Sequence, residues 1–271
     1  MRFVVNGASV FSAQLIDWAA EPAAPGAGIQ VFNECRKVAD TVFTLGGSLD
    51  SRRVFPNLKW LRKLDDVCQY ARPLRPLRQV LHSRLGLKSP ARLARNLVWS
   101  LSPALPDSGD WSCRPAEKFD KAWQPSGDMP MIERTPEWLN YLLRCPAAKM
   151  EGYLLLRGNG PAGHLLLARV GPQTRIVDIA IESESRADWT QVLAIAAQQA
   201  MADSSTFEIA AATSLKWLGE ALERCGFRRR AKLPVYMADG TGRLGTASAV
   251  EISLAIGDEF YSADDTWPMW T

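Results

Sequence analysis

Few side chains in this sequence can carry chemistry, and their spacing narrows the choice. The two histidines, His82 and His164, stand at no metal-ligand spacing, and the five cysteines (Cys35, Cys68, Cys113, Cys145, Cys225) form no Cys-x-x-Cys pair. That argues against a zinc site, a histidine-based triad and a disulfide framework. Carboxylates remain as proton acceptors. Asp17 and Glu21 accompany one short apolar run, and Asp178 sits inside another. The same groups also suit a strand end or a helix N-terminus. After the first run come Pro25-Gly26-Ala27-Gly28 and a helical pattern opening near Ile29. Glycines at a helix start let a ligand approach the main chain, and free N–H groups there attract an anion. A plain turn between strand and helix fits the same four residues.

The elements that position these groups come in two similar sets, over about 15–74 and 176–237. Leu15-Ile16-Asp17-Trp18-Ala19-Ala20-Glu21 matches Ile176-Val177-Asp178-Ile179-Ala180-Ile181-Glu182 in character at an offset of 161. Each run is followed by a helical stretch, a second apolar run opening with threonine (Thr41, Thr206), a small-residue turn and another helical stretch. Each set closes on an extended segment containing a tyrosine, Tyr70 or Tyr236. A shared order of this length reads as two related α/β units in tandem. The division is an abbreviated first unit over 1–75, a basic, proline-rich connector over 76–130, and a second unit over 131–271.

In the first unit the pattern gives a strand at 2–5, a turn at Asn6-Gly7, a strand at 15–20 and a helix over 29–39. A short helix over 50–58, interrupted near Pro56, and an extended stretch over 66–74 complete it. In the connector, Ser89-Pro90 opens a basic helix, and 107–127 reads as irregular loop holding Trp111 and Trp123. In the second unit Thr135-Pro136-Glu137 starts a helix, and 153–157 pairs with 163–170 as a hairpin. A strand over 175–181 leads to a helix capped by Ser185 and Asp188. A strand over 207–211, a helix over 214–225 stopped by Gly226, and strands over 233–238 and 250–256 follow.

With 271 residues, 47% apolar and 23% charged, the chain has the make-up of a soluble globular protein. It has no apolar run long enough for a membrane span and no secretory leader pattern at Met1–Gly7. A reducing cytoplasm is the expected setting. The net charge of +3 is unevenly placed: Arg72 to Arg95 holds seven bases and no acid, and Glu251 to Asp265 five acids and no base. The basic stretch suits an anionic surface at the membrane periphery or a phosphorylated ligand, and equally a solvated helix pair. Its lack of aromatics before Trp99 speaks against nucleic acid. Of the ten tryptophans, Trp138, Trp189 and Trp217 fall on apolar helical faces, whereas Trp111, Trp123, Trp267 and Trp270 are the ligand or interface candidates.

Hairpin, strand, loop, helix, strand, helix ending in Cys225-Gly226-Phe227-Arg228, strand: this order resembles the GCN5-related N-acetyltransferase superfamily. Gly46-Gly47-Ser48, Thr135-Pro136-Glu137-Trp138-Leu139 and Ile256-Gly257-Asp258-Glu259 are similar to bacterial two-unit members. The resemblance implies mixed sheets flanked by helices and acetyl-coenzyme A or another acyl-coenzyme A as cosubstrate. Its pyrophosphate would sit on Pro25, Gly26, Ala27, Gly28 and Ile29. The second unit's Ser183-Glu184-Ser185-Arg186-Ala187-Asp188 has no glycine and two acids at the corresponding place. Asp17 and Glu21 would serve as the base toward a small amine or amino-sugar acceptor. The family's tyrosine acid is replaced by Phe55 in one unit and Leu222 in the other. A non-catalytic binding protein on the same fold therefore stays open, and so does a transferase using aminoacyl-tRNA. The abbreviated first sheet also allows a homodimer that completes it by strand exchange.

Overall fold

The structure, a computed structural model, describes residues 1–16, 26–47, 49–82, 89–125, 129–257, 261 and 269–271. Along the chain β1 (Arg2–Val5) turns at Asn6-Gly7 into β2 (Ala8–Leu15), followed by α1 (Ala27–Val38) and β3 (Thr41–Leu45). Next come α2 (Leu49–Val54), which tightens into a 3-10 turn at Phe55–Asn57 where Pro56 intervenes, and β4 (Arg62–Pro73). The basic stretch forms α3 (Pro76–His82) and α4 (Ser89–Leu101). After β5 (Trp111–Ala116) and β6 (Met131–Ile132), α5 (Pro136–Leu143) starts at Thr135, whose side chain accepts from the Trp138 N–H. The remainder is β7 (Lys149–Arg157), β8 (Gly160–Val170), β9 (Gln173–Ile181), α6 (Arg186–Ala202), β10 (Glu208–Thr213), α7 (Lys216–Arg224) and β11 (Arg228–Asp239). Among the described residues, no helix is long and apolar enough to cross a membrane.

The chain forms two compact units, neither of them a continuous stretch. Unit 1 takes Met1–Val67, Gly127–Glu133 and Lys232–Ile252; unit 2 takes Cys68–Ser126, Arg134–Ala231 and Ser253–Thr271. In unit 1 the strand order is β6, β1, β2, β3, β11. Only β2 and β3 are parallel, with Ser12 opposite Thr41 and Leu15 opposite Thr44. The connection between them carries α1, whose Phe32 is buried with Val42 and Ala238. In unit 2 the order is β5, β7, β8, β9, β10 and the Cys68–Pro73 part of β4, with β9 and β10 the parallel pair. Trp189, Val192, Leu193, Ala196 and Ala200 of α6 pack into its core with Leu165, Ile176 and Ile209.

The duplication has a different register from the one the sequence suggests. Leu15 and Ile181 end β2 and β9, Arg62 and Arg228 open β4 and β11, and Pro73 and Asp239 close them, each pair 166 residues apart. On that spacing Asp178 corresponds to Ser12, not to Asp17. Both are buried polar residues on the first strand of a parallel pair, and the Ser12 hydroxyl lies 2.5 Å from that of Thr41. The offset of 161 matched apolar character but slipped the strand ends.

Three further expectations are corrected. The second strand is Ala8–Leu15 rather than 15–20, and 17–20 lie outside the described residues. Its inward positions alternate Val10 and Ser12, and a buried serine hides the two-residue period. Trp111 begins a strand rather than a loop. β5 pairs only with β7, and that edge position tolerates Pro115. Residues 250–256 bury Val250, Ile252, Leu254 and Ile256 but make a single bridge, Thr213 to Ser253, so burial there comes without a ladder.

One residue shows how closely unit 2 is packed. A Cβ on Gly163 of β8 would fall 2.5 Å from the Ala180 carbonyl oxygen and 2.6 Å from Ile181 Cγ2. Backbone cannot yield as a flexible side chain can. Gly163→Ala is expected to cost about 1–3 kcal/mol in urea unfolding. A change below about 0.5 kcal/mol would mean that β8 and β9 are less tightly apposed.

Candidate functional site

Each unit holds a strand, a helix and a parallel strand, the arrangement that aims a helix N-terminus at a ligand. The two N-termini differ. In unit 1, Gly26 caps α1 with φ 90°, a left-handed conformation open to glycine, and no side chain caps the helix. Its carbonyl accepts from the N–H groups of Ile29 (3.0 Å) and Gln30 (3.1 Å). The N–H groups of Ala27 and Gly28 have no hydrogen-bond partner among the described residues. There is no acid in the first turn, and among the described residues a Cβ on Gly26 would meet nothing within 4 Å. Gly26 is exposed, Ala27 and Ile29 are half-buried and Gly28 is buried. Gly26, Ala27, Gly28 and Ile29 thus share the start of one helix, whereas Asp17, Glu21 and Pro25 lie outside the described residues.

In unit 2 the parallel strands part. β9 and β10 pair from Gln173/Glu208 to Ile176/Ala211, yet β9 runs on to Ile181 while β10 stays with β4 as far as Thr213. A register shift against β8 leaves Val177 without an opposite residue, since Leu167 faces Ile176 and Leu166 faces Asp178. Such a bulge bends a strand away from its neighbour. The helix that follows has a side-chain cap and an acid in its first turn. The Ser185 hydroxyl accepts from the Asp188 N–H (3.4 Å), and the Ser183 hydroxyl donates to Asp188 Oδ2 (2.5 Å) and accepts from the Ser185 N–H (3.1 Å). Arg157 pairs with the same carboxylate at 3.1 Å. The Asp188 carboxylate thus puts a negative charge in the first turn of α6, which disfavours a second anion there. Its position in the first turn was legible in the sequence; its partner Arg157, on the hairpin, was not.

Asp178 is not a base. Its carboxylate, fully buried, accepts from Arg134 Nε and Nη2 and from His164 Nε2, each at 2.8 Å. Burial pushes the carboxyl up, but the Arg134 guanidinium and His164 outweigh it and hold it well below the usual range. The Trp123 N–H points at His164 Nδ1 (3.5 Å), which fits His164 donating through Nε2. His164, fully buried, is held between Asp178 and the Trp123 main chain. Arg134 carries no local signal; the need for it follows only once Asp178 is known to be buried.

Phe55 and Leu222, read from the sequence as standing where a tyrosine acid would, are each 1% exposed, although on the 166-residue spacing the counterpart of Leu222 is Pro56. In unit 2 a different tyrosine reaches α7. Tyr70, on β4 opposite Ala211, lies so close to Gly219 that a Cβ there would strike its hydroxyl. Burial first, then Cys68 and Glu223, push its pKa up to about 12, so its hydroxyl keeps its proton. Trp111 and Trp123 are buried rather than offered to a ligand, and Trp267 lies outside the described residues. Trp270 sits 5.8 Å from the Arg175 guanidinium. Trp138, expected in the core, instead lines a cavity of about 650 Å³ with Tyr141, Leu142, Arg144, Ala255 and Tyr261.

No family model matches the sequence, and no curated protein does. Solved structures do. A GCN5-related N-acetyltransferase from Anabaena variabilis superposes with a TM-score of 0.53 at 11% identity, over 88% of this chain and 57% of that one. A protein from Enterococcus faecalis V583 described as a probable N-acyltransferase gives 0.52 at 11% identity, over 90% and 58%. The chain thus spans less than three fifths of the length of either.

Proposed function

Starting from a chain that has the fold of the GCN5-related N-acetyltransferases, we propose that it is an acyl-coenzyme A-dependent N-acyltransferase for a small amine or amino-sugar acceptor. The supporting observation is the contrast between the two helix starts: α1 begins at a glycine with no side-chain cap and no acid in its first turn, whereas α6 is capped by the Ser185 side chain and carries Asp188 in its first turn. The Ala27 and Gly28 N–H groups would donate to the cosubstrate's pyrophosphate, with the α1 dipole adding to the attraction. The acceptor nitrogen attacks the thioester carbonyl carbon, a C–N bond forms, the C–S bond breaks and the thiol leaves as thiolate. Asp17 or Glu21 would take the proton released from nitrogen. With Phe55 and Leu222 in the tyrosine positions, water protonates the thiolate.

A second reading, a binding protein on the same fold, draws on those two sealed positions and the buried Asp178. Thiol release from acetyl-coenzyme A, followed with and without a panel of amines across pH, separates the two. The catalytic reading expects amine-dependent release that rises with pH as the acceptor loses its proton. No fall is expected near the tyrosine range of about pH 10, because no tyrosine acid takes part. Coenzyme binding without release for any amine would establish the binding protein instead.

A further inference from the structure

Two helices of unit 2 are built inside out. Along α4 the exposed positions are Pro90, Ala91, Ala94, Leu97, Val98 and Leu101, one unbroken apolar stripe at helical spacing. Its buried side chain among those described is polar: Asn96 donates to Gln79 Oε1 of α3 at 2.9 Å, and the Ser100 carbonyl accepts from Arg72 Nη2. α3 repeats the inversion. Gln79 is buried and bonded to Thr271 Oγ1, whereas Leu77 and Leu81 are 61% and 80% exposed. Of the twelve large apolar side chains exposed among the described residues, five lie on these two short helices, so the exposure is concentrated rather than scattered.

We propose that the outward faces of α3 and α4 dock on an anionic lipid surface. The surrounding charge selects this occupant. In the sequence no acid occurs between Asp66 and Asp107; Arg78 is exposed and Arg75, Arg92 and Arg95 are half-buried, whereas Arg72 is buried. Arg78 is exposed beside Leu77, and Arg95 lies along the helix with its guanidinium 4.4 Å from the Trp99 ring. An aliphatic stripe with Arg92 and Arg95 on its own helix and Arg78 on the neighbouring one matches an acyl-chain boundary under anionic headgroups. A second copy of the chain would bring two basic helix pairs together. A protein partner is less favoured because the stripe lacks the aromatic residues that dominate protein interfaces.

The test is flotation of the whole chain with phosphatidylcholine vesicles and with vesicles that also contain phosphatidylglycerol, at low and high salt. The double substitution Val98→Asp and Leu101→Asp changes only exposed positions, and a thermal melt checks that the fold survives. The proposal expects binding only when phosphatidylglycerol is present, weakened by salt and lowered about tenfold or more by the double substitution. Equal binding to both vesicles, binding indifferent to the substitution, or no binding would overturn it. So would a dimer in light scattering that the same substitution splits, since the face would then belong to a second copy.

Discussion

Arg134→Met is expected to cost about 3–5 kcal/mol of folding stability at neutral pH, because it strands the Asp178 carboxylate in a buried site. The arginine supplies two of the three hydrogen bonds on that carboxylate, both at 2.8 Å, and its charge outweighs the burial that would otherwise raise the carboxyl. The pH dependence carries the signature. In the native chain the Asp178 pKa lies below its unfolded value of about 3.9, so its contribution is complete above that value and is lost as pH falls toward the folded value. With Arg134 gone, burial dominates and the folded pKa rises above the unfolded one. The variant is then penalised most at neutral pH, and the gap between the two proteins narrows as pH is lowered. Urea unfolding at neutral and mildly acidic pH measures this. Adding Asp178→Leu should recover part of the loss, since a pair removed together leaves no stranded charge. A loss below about 1 kcal/mol would show that solvent reaches the carboxylate.

Much of the architecture was legible because it rests on local signals. Ser185 and Thr135 accept from main-chain N–H groups as their cap positions require, and α4 begins at Ser89-Pro90. The order of elements led to the right fold. What escaped depends on partners distant in sequence. Nothing near residue 111 tells that an edge strand containing proline will pair with β7. Nothing near residue 68 tells that β4 will leave unit 1 and finish beside β10, or near residue 232 that β11 will finish beside β3. The outward stripe of α4 was hidden for another reason: an amphipathic pattern gives the face that is apolar but not the direction in which it points.

Within the candidate site the glycines were legible and the chemistry around them less so. Gly26 and Gly28 fall at the start of α1 as read, and Ser185 and Asp188 close α6 as their types suggest. Asp178 misled because an acid on a strand looks the same in sequence whether it faces a cleft or a buried arginine. Tyr70 could not be assigned to α7 from sequence, since it arrives from another strand.

Gly26→Asp is expected to abolish most acyl-coenzyme A binding. The position is exposed, a Cβ there meets no atom of the described residues within 4 Å, and aspartate tolerates a left-handed backbone better than most residues. The substitution therefore acts mainly by placing a negative charge at the open N-terminus of α1. Repulsion of a pyrophosphate there should cost about 2 kcal/mol, some thirtyfold in Kd. Gly26→Asn introduces the same shape without the charge and should retain most of the affinity. Isothermal calorimetry of acetyl-coenzyme A against the unaltered chain and these two variants is the decisive measurement. Binding to the unaltered chain and to Gly26→Asn, with a thirtyfold loss in Gly26→Asp, is the expected result. No binding to the unaltered chain, or equal affinity in all three, would contradict a coenzyme site at α1.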